Sequence, residues 1–136
     1  MIFAVKTEVI DPHAGTFLLE RQKTMYGGKH VSAGDVIYVF ASENEGGSGL
    51  IARGTVTAST PTPRVPGVER QTPRVSITIE RTARAKRKLG RAELRACTDW
   101  ESESPESELN FKFYRQATNK IVGVSERAAA FLEEHF

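Results

Sequence analysis

Apolar and polar positions alternate with a period of two in several short stretches of the chain, the signature of strands. In residues 3–10, Phe3, Val5 and Thr7 fall on one side and Ala4, Lys6 and Glu8 on the other. Asp11-Pro12 and Gly15 follow as a turn signal. Residues 16–26 open apolar at Phe17, Leu18 and Leu19 and then turn polar, a pattern open to a strand or a short helix, and Gly27-Gly28 breaks it. Ser32-Ala33-Gly34-Asp35 is a tight-turn cluster. It feeds residues 36–41, where Val36, Ile37, Tyr38, Val39 and Phe40 are β-branched or aromatic without alternation. Such a run predicts a short strand covered on both faces.

Residues 43–49 hold three glycines, an asparagine and a serine and predict a flexible hairpin loop. The partner strand spans 50–58, with Gly54 marking a bulge or a close approach. Residues 60–73 contain Pro61, Pro63, Pro66 and Pro73 and predict an extended loop. Alternation returns in 74–81, where Val75, Ile77 and Ile79 face inward. It returns again in 110–115, where Phe111 and Phe113 oppose Lys112 and Tyr114. A short helix is expected over 90–97, a polar acidic loop over 99–108 and a short strand over 120–124. Ser125 is a good N-cap with Glu126 in the first turn, and a closing helix over 128–136 presents Ala128, Phe131 and Leu132. About six short strands with few long helices predict one mainly β, α+β domain over positions 1–136, a closed or partly closed barrel.

Composition narrows the function classes. Hydrophobic residues make up 39% of the 136 and charged residues 26%, ordinary for a globular domain. No apolar run is long enough to span a bilayer. The N-terminus lacks a basic region followed by an apolar stretch, so a cytoplasmic protein is expected. A single cysteine, Cys97, excludes an internal disulfide and a thiolate-rich zinc site, and His13, His30 and His135 show no ligand spacing, so no metal or other cofactor is expected. The net charge of +2 is unevenly spread: residues 51–95 carry eleven Lys/Arg against three Asp/Glu, between acidic ends. Arg81, Arg84, Lys86, Arg87, Lys88, Arg91 and Arg95 crowd into fifteen residues with one acid, Glu93. Such a run is either a solvated face or a phosphate-binding one, and the first six are the candidate phosphate contacts.

Four stretches and their order resemble a known family. They are Phe3-Ala4-Val5-Lys6-Thr7-Glu8, then Gly34-Asp35-Val36-Ile37-Tyr38-Val39-Phe40-Ala41-Ser42, then Gly49-Leu50-Ile51-Ala52-Arg53-Gly54-Thr55-Val56, and finally residues 89–95 with 121–124 and the closing helix. Together they resemble the EVE domain of the PUA-like superfamily, which also includes ASCH and YTH domains. The chain departs from that pattern in residues 19–26, which hold no tryptophan.

The resemblance implies a PUA-like mixed β-barrel of about six strands with short flanking helices. It also implies binding of nucleic acid, RNA or DNA with a modified base, in a pocket at the barrel end. A flipped base needs an aromatic or apolar wall and a few donors and acceptors. Tyr26, Tyr38, Trp100 and Tyr114 are the candidate walls, with Tyr38 placed in the most buried strand and so a core candidate too. Lys6, Thr7, Ser42 and Asn44 are the candidate readers, at neighbouring strand ends if the first and third strands pair. Ser42, Thr7 and Asn44 also suit simple turn closure.

Two alternatives stay open: a small-molecule or nucleotide-binding module, and an ASCH-like amidohydrolase acting on an acylated nucleoside. Lys23-Thr24 partly echoes that hydrolase pattern, but Tyr26 stands where its second threonine would be. No Cys/His pair, Ser-His-Asp set or nucleophile elbow is present, and Gly46-Gly47-Ser48-Gly49 lacks the ending of a P-loop, so an enzyme is not the favoured expectation.

Overall fold

A computed structural model describes all 136 residues. Six strands, β1 (Ile2–Thr7), β2 (Thr16–Met25), β3 (Val36–Ala41), β4 (Gly49–Pro61), β5 (Arg74–Arg84) and β6 (Lys120–Gly123), close into a barrel in the order β1-β3-β4-β5-β2-β6. The β1–β3 and β2–β6 pairs are parallel and the others antiparallel. Three short helices, α1 (Arg91–Leu94), α2 (Pro105–Phe113) and α3 (Glu126–Glu133), accompany them. No helix is long and apolar enough to cross a membrane.

Strand alternation builds two cores. Phe3, Val5, Ile37, Val39, Ile79 and Ile121 belong to the cluster that fills the barrel. Their neighbours Ala4, Tyr38, Phe40 and Val122 pack with Leu109, Phe113 and Leu132 in a second cluster under α2 and α3. That double cover is why β3 reads as an unbroken apolar run. The second core is pinned from its rim: the Glu133 carboxylate accepts from the Tyr38 hydroxyl at 2.6 Å and from Arg53 Nη1 at 2.7 and 2.8 Å.

Residues 16–26 form a strand, resolving that choice, and the barrel keeps six strands because the expected strand over 110–115 does not form. Those residues belong to the end of α2 and the turn after it. The start signals lie inside the acidic stretch expected to be a loop. Ser104 caps the helix through Ser107 N–H, Pro105 occupies the first turn, and Glu106 and Glu108 sit at the positive end of the helix dipole. Leu109 and Phe113, four apart, are both buried, whereas Phe111 is only half-buried, so the apparent two-residue period was incidental.

Lys6 and Lys120 are the least expected members of the interior. They face each other across β1 and β6, and both are fully buried. Lys6 Nζ donates to the carbonyls of Phe113 at 2.8 Å and Ala117 at 3.2 Å; Lys120 Nζ donates to Gln116 at 3.0 Å and Thr118 at 3.1 Å. Two ammoniums thus satisfy the carbonyls that α2 and the following turn leave open, at the end of a helix where positive charge is favoured. Burial lowers both lysine pKa values; for Lys120, aided by the charge of Lys6, it brings the value down to about 8.

Gly54 fulfils its sequence signal twice: the β4–β5 register shifts between Arg53 and Gly54, and an added Cβ would stand 2.5 Å from the Glu80 carbonyl oxygen. We therefore expect Gly54→Ala to destabilise the fold by about 1–3 kcal/mol, the usual cost of overpacking, read as a lowered urea midpoint at unchanged slope. The lysine pair predicts a pH dependence. Below pH about 8 the Lys120 ammonium is charged in both states and its desolvation weighs on the folded one. Above that value the folded chain releases a proton that the unfolded chain holds up to 10.5, so stability rises with pH. Past the ordinary tyrosine value of 10.0 the trend reverses, because burial keeps Tyr38 and Tyr114 protonated only in the folded state. Denaturation midpoints from pH 7 to 11 should show this maximum, and Lys120→Met should flatten its rising limb.

Candidate functional site

The hollow at the barrel mouth is the product of a β-bulge. The β2–β5 register shifts between Leu19 and Gln22, and Arg21 takes a positive φ of 50°. For a residue with a side chain this left-handed backbone costs on the order of 1–3 kcal/mol and needs support. Here the Arg21 N–H donates to Ser76 Oγ at 3.0 Å, and Arg74 Nη1 donates to the Arg21 carbonyl at 2.8 Å. The kink aims Arg21, Gln22 and Lys23 into a hollow of about 350 Å³. Thr7 and Glu8 from the end of β1, Glu45 from the turn after β3, Arg74 from the start of β5, and Thr118 and Asn119 before β6 complete its lining. Asn119 Nδ2 donates to Glu45 Oε1 at 2.9 Å, bridging two of these elements. No hydrophobic side chain lines the mouth.

Lys23 and Arg74 are directly opposed in the β2–β5 ladder. Like charges so placed repel. Neither has a carboxylate within 4.0 Å, nor has Arg21; the protein's ion pairs employ only the N-terminal amine, Arg53, Lys112 and Arg127 as cations. The mouth therefore holds three unpaired cations beside two carboxylates, two side-chain amides and two threonines, an array suited to an anionic or polar planar ligand.

The candidate pocket residues separate into three places. Pairing of β1 with β3 does bring residues 6–7 beside 42–44, with Thr7 opposite Ala41. Only Thr7 lines the mouth. Lys6 points to the helix side of the wall, enclosed by carbonyls and by the Tyr114 ring 5.0 Å away, so as a surface reader it is misplaced. Ser42 is buried, and its hydroxyl has no partner. Asn44 accepts from Arg91 Nη2 at 2.6 Å, while Glu43 takes the Arg91 N–H and the Tyr114 hydroxyl. Tyr38 and Tyr114 thus serve the packing. Tyr26 and Trp100 meet on Phe111, with ring centroids 5.9 and 5.4 Å away, and Trp100 lines a different hollow between the starts of α2 and α3. No aromatic wall stands at the mouth.

The candidate phosphate contacts divide too. Arg81 Nη1 donates to the carbonyls of His13 and Ala14, both at 2.8 Å, closing the β1–β2 connection. Arg91 is clasped to Asn44 as above. Arg84, Lys86, Arg87 and Lys88 are exposed along another hollow. Arg21, Gln22 and Asn119 line the mouth with no motif in the sequence to mark them. The one available signal was the polar half of residues 16–26, whose facing depends on a bulge that no local pattern announces. The hydrolase echo is not assembled, since Thr24 is buried and its hydroxyl donates to the Pro73 carbonyl at 2.7 Å. No group of three or more His, Cys, Asp or Glu side chains is placed to hold a metal ion.

No protein-family model matches the chain, and no curated protein matches it in sequence. Solved structures do match its fold. A Pseudomonas putida protein superposes with a TM-score of 0.64 at 13% identity, covering 98% of each chain. The DUF55 domain of human thymocyte nuclear protein 1 gives 0.64 at 11% identity, covering 98% of this chain and 97% of that one. Human THYN1 in complex with 5-methylcytosine-containing DNA gives 0.63 at 13% identity, covering 98% and 96%. At such identities the likeness establishes the fold alone: the chain is a closed six-stranded mixed barrel, mainly β with three short helices, with the fold of the DUF55 domain of human thymocyte nuclear protein 1.

Proposed function

We propose that this chain binds nucleic acid carrying a modified base, and that the barrel mouth is where the base is received. The observation that carries the reading is the opposed pair Lys23 and Arg74, joined by Arg21 and left without carboxylate partners. A cross-strand like-charge pair costs stability. The phosphate of the received nucleotide relieves that cost, so the arrangement makes sense as a site and not as a fold device. The second support is architectural: a protein of the same fold has been crystallised with 5-methylcytosine-containing DNA. In the absence of aromatic rings, the guanidinium planes of Arg21 and Arg74 are the stacking surfaces, and Gln22, Asn119, Thr7 and the two carboxylates meet the base edge.

Short single-stranded DNA and RNA with a central cytosine or 5-methylcytosine, titrated by fluorescence anisotropy over a salt series, test the reading. Tighter binding of the methylated strand is expected, together with log–log salt slopes of about 0.7 per phosphate held. Equal affinity for both strands excludes base reading. A flat slope with binding of the free nucleoside indicates a neutral small-molecule site instead. Lys23→Gln separates function from packing: removal of the repulsion should raise folding stability by about 0.2–1 kcal/mol while weakening strand binding. A substitution in a purely structural pair would lower stability and leave binding alone.

A further inference from the structure

The mouth is one of four hollows joined through shared side chains. Lys23 and Arg74 also line a hollow of about 490 Å³ beneath the proline-rich loop, where Lys29 and Arg64 add their charges. On the other side, Glu8 and Glu45 also line a hollow of about 390 Å³ over Gly46-Gly47-Ser48. Pro12 and Ser48 connect that hollow to a fourth, of about 470 Å³, flanked by Arg84, Lys86, Arg87 and Lys88. A path thus runs from one cationic group, across the mouth, to another.

The path is held open and its far end is fixed. Gly46 and Gly47 give the trough a floor without side chains, and a Cβ at 47 would run into the Ala41 carbonyl. The backbone N–H groups of Lys86 and Arg87 both donate to the His135 carbonyl, which anchors that cationic stretch to the end of the chain. All six cations at its two ends are exposed, and none has a carboxylate within 4.0 Å. The acids are confined to the middle. Glu8 and Glu45 accept well from a base amino group, and Arg21, Lys23 and Arg74 beside them suit the phosphate of the same nucleotide. The charge order therefore places flanking phosphates at the two ends and a whole nucleotide, base and phosphate, at the centre.

We propose that this path holds one nucleic-acid strand, with backbone phosphates gripped on both sides of the mouth. Lys29 and Arg64 form one arm, and Arg84, Lys86, Arg87 and Lys88 form the other. The inference rests on the mouth being the nucleic-acid site, and adds the route of the strand and the two-sided grip. The basic run at residues 84–88 then acts as a remote phosphate clamp that does not read bases.

Two variants test it, K29Q/R64Q and R84Q/K86Q/R87Q/K88Q, all at exposed positions away from the mouth. Each is titrated with single strands and with the matching duplex, with cytosine or 5-methylcytosine at the centre. For the strand, the salt slope should fall by about 1.4 in the first variant and about 2.8 in the second, at about 0.7 for each phosphate no longer neutralised. The ratio of methylated to unmethylated affinity should stay at the wild-type value in both. A duplex slope that responds in the same way shows one strand of an opened duplex on the path; response of the single strand alone shows a free strand there. An unchanged slope in either variant overturns the two-sided grip, while a preserved methylation ratio leaves the mouth reading standing. A wild-type ratio of one removes the mouth reading, and the strand route falls with it.

Discussion

Two ammoniums buried between a barrel wall and a helix end decide how this molecule is assembled. Lys6 and Lys120 sit side by side on β1 and β6 and together engage the carbonyls of residues 113, 116, 117 and 118. A buried charge without partners would be untenable, and a helix end with unmet carbonyls nearly so; each satisfies the other. The neutral amine still carries two hydrogens for two carbonyls, so the contact survives loss of the proton. What the pair fixes is the turn leading from α2 to β6. That turn delivers Thr118 and Asn119 to the mouth and sets β6 in register between β1 and β2.

The mouth is assembled from pieces distant in sequence, and strain is part of its construction. The left-handed Arg21 is supported by Ser76 and Arg74, both on the neighbouring strand. Bulges commonly re-aim side chains beside functional sites. Here the bulge turns a half-buried strand into a source of three polar side chains at one point. The opposition of Lys23 to Arg74 follows from the resulting register.

Much of the fold was legible in the sequence because both faces of the key strands obey simple rules. The unbroken run at 36–41 reported its double cover, Gly54 its close approach, and Ser125 its cap on α3, whose hydroxyl accepts from Ala128 N–H. The order of those pieces also carried the resemblance to EVE-type barrels. α2 was missed because Phe111 and Phe113 imitate a strand while Ser104 and Pro105 lie in a stretch that looks merely acidic. The burial of Lys6 was beyond reach, since it depends on a carbonyl 107 residues away. The pairing of β1 with β3, which brings residues 6–7 beside 42–44, was legible, whereas the lining of the mouth was not, because the register of residues 23 and 74 follows a bulge. Tyr26 and Trp100 have the chemical type of base walls, but sequence does not show that Phe111 gathers them away from the mouth.

The barrel order has a consequence for how the chain reaches its final form. β6 is the only element joining β1 to β2, and it comprises just residues 120–123. Until it docks, β1 and β2 each present a row of unsatisfied backbone groups to whatever is near, the usual route to intermolecular strand pairing. Ring closure therefore waits for the last strand. A lesion that delays or displaces those four residues would turn a sealed cylinder into an open sheet with two adhesive borders.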